Sequence, residues 1–80
     1  MTTIDVQYYA ILREQAGKSR EQVETEAPDA AALYDSLRTR HGFTLDRTQL
    51  RVAIDGEFGA WDAPLRNGAE VVFIPPVAGG

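Results

Sequence analysis

The last stretch of the chain decides its fold and reads Glu70-Val71-Val72-Phe73-Ile74-Pro75-Pro76-Val77-Ala78-Gly79-Gly80. Its apolar run predicts a strand, and the diproline ends that strand because proline has no N–H to donate to a strand ladder. Glycine lacks a Cβ, so the two glycines fit a channel too narrow for other residues. We therefore expect a stiff projecting tail, with the terminal carboxylate of Gly80 as its reactive group.

Three upstream runs, residues 3–10, 20–26 and 50–55, also predict strands, because apolar residues alternate with polar ones. A helical turn over residues 11–16 and a turn at Gly17 separate the first two, and a short strand near Phe58 is left open. The residues expected to point inward are Ile4, Val6, Tyr8, Val23, Val52, Ile54, Val71 and Phe73.

One amphipathic helix is predicted after Pro28. Asp29 is suited to cap its first N–H groups, and Gly42 is suited to follow its last turn. Residues at helical spacing form a single apolar stripe, with a histidine at its end. The stripe consists of Ala30, Leu33, Tyr34, Leu37 and His41.

The order strand, strand, helix, strand, strand predicts an α+β roll of the ubiquitin-like, β-grasp kind, a mixed sheet with one main helix on one face. In such a roll the first and last strands are parallel neighbours in the centre of the sheet. We expect residues 1–74 to form this domain and residues 75–80 to form the projecting diglycine tail.

The helix covers only one face of the sheet, so alternate residues must point to the other face. Tyr9, Ala53, Val72 and Ile74 are expected to form an apolar patch there, beside the tail. Scattered exposed apolar residues are normal on proteins, but a cluster next to a projecting tail favours a docking face for a partner.

Composition excludes several classes of protein. The 80 residues contain no cysteine, so neither a disulfide nor a side-chain thiol takes part in the chemistry. A net charge of −4, spread along the chain, argues against nucleic-acid binding. No apolar run approaches the roughly 20 residues of a membrane span, and no signal peptide is visible. We expect a cytoplasmic protein.

Other candidate sites are weak. His41 is interpreted as a cation at a helix end, since no second ligand pattern accompanies it and no metal motif is present. Trp61 is interpreted as the anchor of a loop, with a contact to a partner as the alternative. Glu21, Glu24 and Glu26 are interpreted as solvated charges, and no side chain is expected to be catalytic.

The tail, with two other segments, is similar to the small sulfur-carrier subunit of molybdopterin synthase, in the ubiquitin-like group that also holds the thiamine sulfur carrier. Asp55, where that family is expected to have Asn, and Ala69, in place of a frequent acidic residue, depart from the pattern. The three segments are Tyr9-Ala10-Ile11-Leu12-Arg13-Glu14-Gln15-Ala16-Gly17, Pro64-Leu65-Arg66-Asn67-Gly68-Ala69-Glu70-Val71 and Phe73-Ile74-Pro75-Pro76-Val77-Ala78-Gly79-Gly80.

The resemblance implies a mechanism. An E1-like adenylating enzyme would use ATP to activate Gly80, and a sulfur donor would convert the acyl-adenylate into a thiocarboxylate. The tail, residues 75–80, would then enter the large catalytic subunit, in a heterotetramer, to supply dithiolene sulfur to cyclic pyranopterin monophosphate. The chain itself would be a non-catalytic subunit and co-substrate that binds no cofactor.

Two rival functions remain open. The first is sulfur carriage for thiamine, for tRNA thiolation or for cysteine synthesis, and the second is ubiquitin-like modification of proteins. A third interpretation takes the terminal glycines as incidental. The diproline tail and the Arg13-Glu14 segment favour molybdopterin.

Overall fold

A computed structural model describes residues 1–76, and the predicted tail positions 77–80 lie outside the described residues. The described part is a five-stranded mixed sheet, in the order β2-β1-β5-β3-β4, with helices on one face. Its elements are β1 (Thr2–Tyr8), α1 (Ala10–Ala16), β2 (Arg20–Thr25), α2 (Ala30–His41), a 3₁₀ helix (Arg47–Gln49), β3 (Arg51–Ile54), β4 (Glu57–Gly59) and β5 (Glu70–Ile74). The prediction of an α+β, β-grasp roll is confirmed.

The last strand occupies the middle of the sheet. β5 pairs in parallel with β1, where Tyr8 lies opposite Phe73, and antiparallel with β3, where Val52 also lies opposite Phe73. Val71 and Phe73 are completely buried. The parallel central pair and the inward side of β5 are therefore as the sequence predicts.

The main helix packs its predicted stripe on this sheet. Asp29 accepts a hydrogen bond from the backbone N–H of Ala32 at 2.9 Å, and Gly42 ends the helix with a φ of 73°. This left-handed conformation is open to glycine without steric cost, so Gly42 stops the helix sharply. The fully buried helix residues are Ala30, Leu33, Tyr34 and Leu37.

The turn between β3 and β4 accounts for the aspartate at position 55. Asp55 and Gly56 both have positive φ, 52° and 86°, as a tight hairpin turn between twisted strands requires. The Asp55 carboxylate accepts a hydrogen bond from the backbone N–H of Glu70 at 3.0 Å and pairs with Arg66. It thereby ties the β3–β4 turn to the start of β5, and these contacts hold the pKa of Asp55 below its ordinary value.

The prediction that Glu21 is a solvated charge is wrong. It lies on the helix side of β2, and one of its oxygens accepts hydrogen bonds from the Tyr8 hydroxyl at 2.5 Å and from His41 at 2.7 Å. The side chains of Glu21 and His41 are each only 12% exposed. His41 is thus a partner of Glu21 that joins the end of α2 to the sheet.

The contacts of Glu21 shift its pKa. Burial by itself raises the pKa of a carboxyl group, but the hydrogen bonds from Tyr8 and His41 and the nearby charge of Lys18 outweigh it and lower the pKa of Glu21. Burial and the Glu21 carboxylate together raise the pKa of the Tyr8 phenol well above its ordinary value. Glu21 is therefore ionised and Tyr8 is a neutral donor at neutral pH.

This network predicts how stability depends on pH. Since the folded state lowers the pKa of Glu21, its contribution to the free energy of unfolding is present above the unfolded pKa and is lost as pH falls through the folded one. Glu21→Gln should therefore lose less stability than the wild type between about pH 7 and about pH 3, measured by urea unfolding. Glu24→Gln, an exposed change on the same strand, is the matched control. Equal acid sensitivity of wild type and Glu21→Gln would contradict this role.

Candidate partner-docking face and tail exit

The face of the sheet opposite α2 carries a row of residues that runs across four strands. Directly opposite residues share a face, and the register places Gln7 beside Val72, Val72 beside Ala53, and Ala53 beside Phe58. Ala53 lies outside the core cluster although only 8% of it is exposed. It is thus in the predicted row but contributes little surface, whereas Val72 is half-buried and accessible.

A second row lies closer to the tail. Ile74, the last residue of β5, is opposite Arg51 of β3 and is half-buried. The Arg51 guanidinium lies over the ring of Phe58, 4.9 Å from its centroid. A shallow groove follows these residues to the diproline, lined by Arg51, Phe58, Ile74, Pro75 and Pro76 together with the 3₁₀ helix.

Tyr9 lies at the edge of this face, but not within a strand. β1 ends at Tyr8, and Tyr9 is the N-cap residue of α1, in an extended conformation and 43% exposed. The predicted first strand was too long by two residues here. Because Tyr8 lies opposite Phe73, Tyr9 still belongs to the end of the sheet from which the tail leaves.

Phe58 is the residue that the sequence prediction missed. It is 66% exposed, and it extends the apolar face onto β4. An aromatic residue this exposed on a short edge strand is unusual and favours a contact surface. The signal was the run Asp55-Gly56-Glu57-Phe58-Gly59, in which a hairpin turn directly precedes the aromatic residue.

A polar strip borders the apolar row towards β2 and the start of β5. Arg20 lies 3.5 Å from Glu70, and Gln22 lies 3.5 Å from Asp5. All four side chains are exposed. The face is therefore apolar around the groove beside the tail, and it is polar towards β2 and the start of β5.

Trp61 does not contribute to this face. Its ring stacks on Phe73 at a centroid distance of 6.0 Å and contacts Tyr34 at 5.9 Å, on the helix side of the sheet. The interpretation of Trp61 as the anchor of a loop is confirmed.

Residues 1–76 are the part of the chain that the structure describes. In that range no group of three or more His, Asp or Glu side chains is placed to hold a metal ion. The helices of the same range are all too short or too polar to cross a membrane. The tail positions Val77, Ala78, Gly79 and Gly80 lie outside the described residues, so only Pro75 and Pro76 place its start.

Residues 6–80 of the chain match the profile of the ThiS family. The chain belongs to the ThiS family. The match includes all five strands except the first residues of β1, and it includes the two terminal glycines.

Curated relatives of the chain carry one name. This chain is 32% identical over 80 residues to the molybdopterin synthase sulfur carrier subunit of Escherichia coli. The alignment covers 96% of this chain and 99% of the relative. The chain is also 32% identical over 83 residues to the subunit of the same name from Mycobacterium tuberculosis, with both chains fully covered. The resemblance stated from the three segments is confirmed.

Solved structures share the fold. Molybdopterin converting factor, subunit 1, from Pyrococcus furiosus superposes with a TM-score of 0.81 at 28% identity, over 96% of this chain and 100% of the other. A chain from the complex of subunits 1 and 2 of the molybdopterin-converting factor from Helicobacter pylori superposes with a TM-score of 0.69 at 19% identity, over 99% of this chain and 100% of the other. A ubiquitin from Caldiarchaeum subterraneum superposes with a TM-score of 0.62 at 19% identity, over 99% of this chain and 98% of the other. The latter two show the fold alone, and it is ubiquitin-like.

The register predicts opposite effects for two neighbouring substitutions. Ile74→Asp should leave the domain folded, because the charge stays solvated in the free protein, but it should weaken docking at least about tenfold, since burying an unpaired charge costs more than about 1.4 kcal/mol. Phe73→Asp, which places the charge in the core, should unfold the domain.

Thermal melts and titration calorimetry with the large synthase subunit would measure both effects. Ser36→Asp, which adds the same charge at an exposed position on α2 and away from the docking face, is the control. A folded Phe73→Asp protein together with an unfolded Ile74→Asp protein would show that the assigned faces are reversed.

Proposed function

We propose that this chain is the sulfur-carrier small subunit of molybdopterin synthase. The observation that carries the proposal is that β5, held in the centre of the sheet, runs from an exposed apolar face directly into the diproline and the diglycine tail. The curated relatives, which are named for this role and aligned over the full chain, support the same conclusion.

The proposed chemistry begins with the carboxylate of Gly80. It attacks the α-phosphate of ATP on an E1-like adenylating enzyme, so that an acyl-adenylate forms and pyrophosphate leaves. Sulfur at the sulfide oxidation level, supplied by a sulfur donor, then attacks the carbonyl carbon, the bond to the phosphate of AMP breaks so that AMP leaves, and a thiocarboxylate remains on Gly80. Adenylation is needed because it replaces a poor leaving group by AMP. ATP is bound by the enzyme and not by this chain.

The sequence suits a carrier in which sulfur is held on the main chain. With no cysteine, the chain offers no side-chain thiol that would exchange with the donor or compete for the acyl group. Glycines at positions 79 and 80 permit close approach of two different active sites. Pro75 and Pro76 limit the conformational entropy that the tail loses when it is ordered.

The proposed destination is the large catalytic subunit of molybdopterin synthase. The tail, residues 75–80, enters that subunit while Tyr9, Val72, Ile74 and Phe58 dock beside the channel, with Ala53 beneath them. Two carriers in turn supply the two sulfurs of the dithiolene on cyclic pyranopterin monophosphate. The Helicobacter pylori complex of subunits 1 and 2, one chain of which has this fold, supports a two-subunit arrangement. We place the reaction in the cytoplasm, in a heterotetramer with a central dimer of large subunits.

The length of the tail should be critical. Deleting Gly80, or adding one residue beyond it, should abolish cofactor synthesis and leave the fold intact, because an extended residue shifts the carboxylate by about 3.3–3.6 Å. Synthesis is measured in cells that lack the carrier, and intact mass verifies where each chain ends. Substitution of Ser36, exposed on α2, by alanine is the control. Cofactor synthesis by a chain with an untrimmed added residue would refute the terminal-carboxylate mechanism.

Intact mass also separates this proposal from its rivals. A carrier isolated from its own cells should include a fraction heavier by the replacement of one oxygen by sulfur, located on Gly80. A protein modifier would instead appear as covalent ladders on immunoblots of the same extract.

The free chain should be a monomer that forms a stable complex with the large subunit. The physical reason is reuse: a carrier must leave one partner and be reloaded by another through the same tail and face. Analytical ultracentrifugation of the carrier alone, and then with the large subunit, measures this. A homodimer through the docking face that persists when the large subunit is present would contradict the proposed function.

A further inference from the structure

The charges of the chain are separated in space although they are spread along the sequence. We define the exit end as the end of the sheet where β5 finishes at Ile74, next to Tyr8 of β1 and Arg51 of β3. β2 begins at this end, since Arg20 lies opposite Gln7. α2 finishes at this end, because His41 contacts Glu21 and Tyr8. The opposite end is called the far end.

The fold gathers nearly all basic side chains at the exit end. α1 and the turn after it follow β1 there, the last turn of α2 lies there, and the 3₁₀ helix leads into β3 there. Of the eight lysine and arginine residues, all except Arg66 belong to these segments. They are Arg13, Lys18, Arg20, Arg38, Arg40, Arg47 and Arg51.

Acidic side chains show the opposite distribution. Only four of the twelve belong to the exit end, namely Glu14, Glu21, Asp35 and Asp46. The other eight lie on the segments of the far end, which include the turn of Asp55 and the start of β5. These are Asp5, Glu24, Glu26, Asp29, Asp55, Glu57, Asp62 and Glu70.

The formal charges are therefore of opposite sign. Seven basic and four acidic side chains give the exit end +3, and one basic and eight acidic side chains give the far end −7, which together make the −4 of the chain. Arg13, Arg40 and Arg51 are exposed, whereas the guanidinium of Arg20 reaches along the sheet to within 3.5 Å of Glu70 at the far end. At physiological ionic strength, charges interact over about 8 Å, so a partner approaching the exit end meets its positive field first.

We propose that the exit end docks against an acidic rim around the channel by which the adenylating enzyme takes up the tail. The inference rests on the proposed function, because it assumes that this enzyme receives the tail. Complementary charge at such a rim would raise the rate of association and orient the carrier with its tail forward.

A protein rim fits better than a nucleic acid for two reasons. The positive surface is continuous with apolar side chains, Ile74 and Phe58, which match the surface of a protein. A long polyanion bound at the exit end would also extend towards the far end, where the formal charge of −7 would repel it.

Two double variants test the proposal. Arg13→Gln with Arg40→Gln removes two exposed charges from the exit end, and Glu24→Gln with Glu26→Gln removes two from the far end. No side-chain hydrogen bond or ion pair of these four residues occurs within residues 1–76, so all the variants should fold. The association rate with the adenylating enzyme and ATP is measured by stopped flow at several salt concentrations.

The exit-end variant should associate about tenfold more slowly at low salt, with a weaker dependence on salt, and its dissociation rate should change little. The far-end variant should match the wild type. Equal and opposite effects of the two variants would show that only net charge matters and would overturn the proposal, as would an association rate independent of salt. A duplex oligonucleotide is the second probe: if it binds the wild type and not the exit-end variant, while association with the enzyme is unchanged, the exit end belongs to nucleic acid.

Failure of the proposed function would give a different result from failure of the acidic-rim proposal. ATP–pyrophosphate exchange that depends on Gly80 reports whether the enzyme adenylates this chain at all. Exchange with no electrostatic effect refutes the acidic rim alone, whereas no exchange refutes the carrier function.

Discussion

The central position of β5 is the constraint on which the rest of the structure depends. β5 is paired along one edge with β1 and along the other with β3, and its inward residues Val71 and Phe73 are completely buried. A strand with partners on both sides cannot fray without breaking two ladders and opening the core, so the first residue of the diproline starts from a fixed point. A terminal strand at the edge of the sheet would leave the reach of the tail variable.

The two faces of β5 also have different roles, because one completes the core and the other stays open to a partner. Its alternation turns Val71 and Phe73 towards α2, and Val72 and Ile74 towards the open face. The core is thus completed on one side by Tyr34 and Trp61, which pack on Phe73, without using the side that a partner needs. The open face is able to carry exposed apolar groups because the free energy of folding does not depend on covering them.

The sequence predicted what depends on local pattern, and it missed what depends on distant segments meeting. The alternation in β1 and β5, the Asp29 cap and the stripe of α2 follow from spacing alone, and the structure has all of them. Glu21 was misread because its partners, Tyr8 and His41, lie 13 and 20 residues away and come together only in the fold. The exposed Phe58 was left out of the docking face because three-residue β4 is too short for a pattern.

The two proposed docking surfaces beside the exit would present a tail with so few side chains in one orientation. An apolar face by itself allows the domain to rotate about the axis of contact, since hydrophobic contacts are not directional. A charged end by itself gives direction at long range but little affinity, because exposed ion pairs contribute little. The groove at Ile74 and Phe58 lies on one face of the sheet, and the basic residues surround its exit end, so the two surfaces constrain different rotations. Together they would fix the orientation of the domain, and with it that of Pro75 and Pro76, relative to the partner.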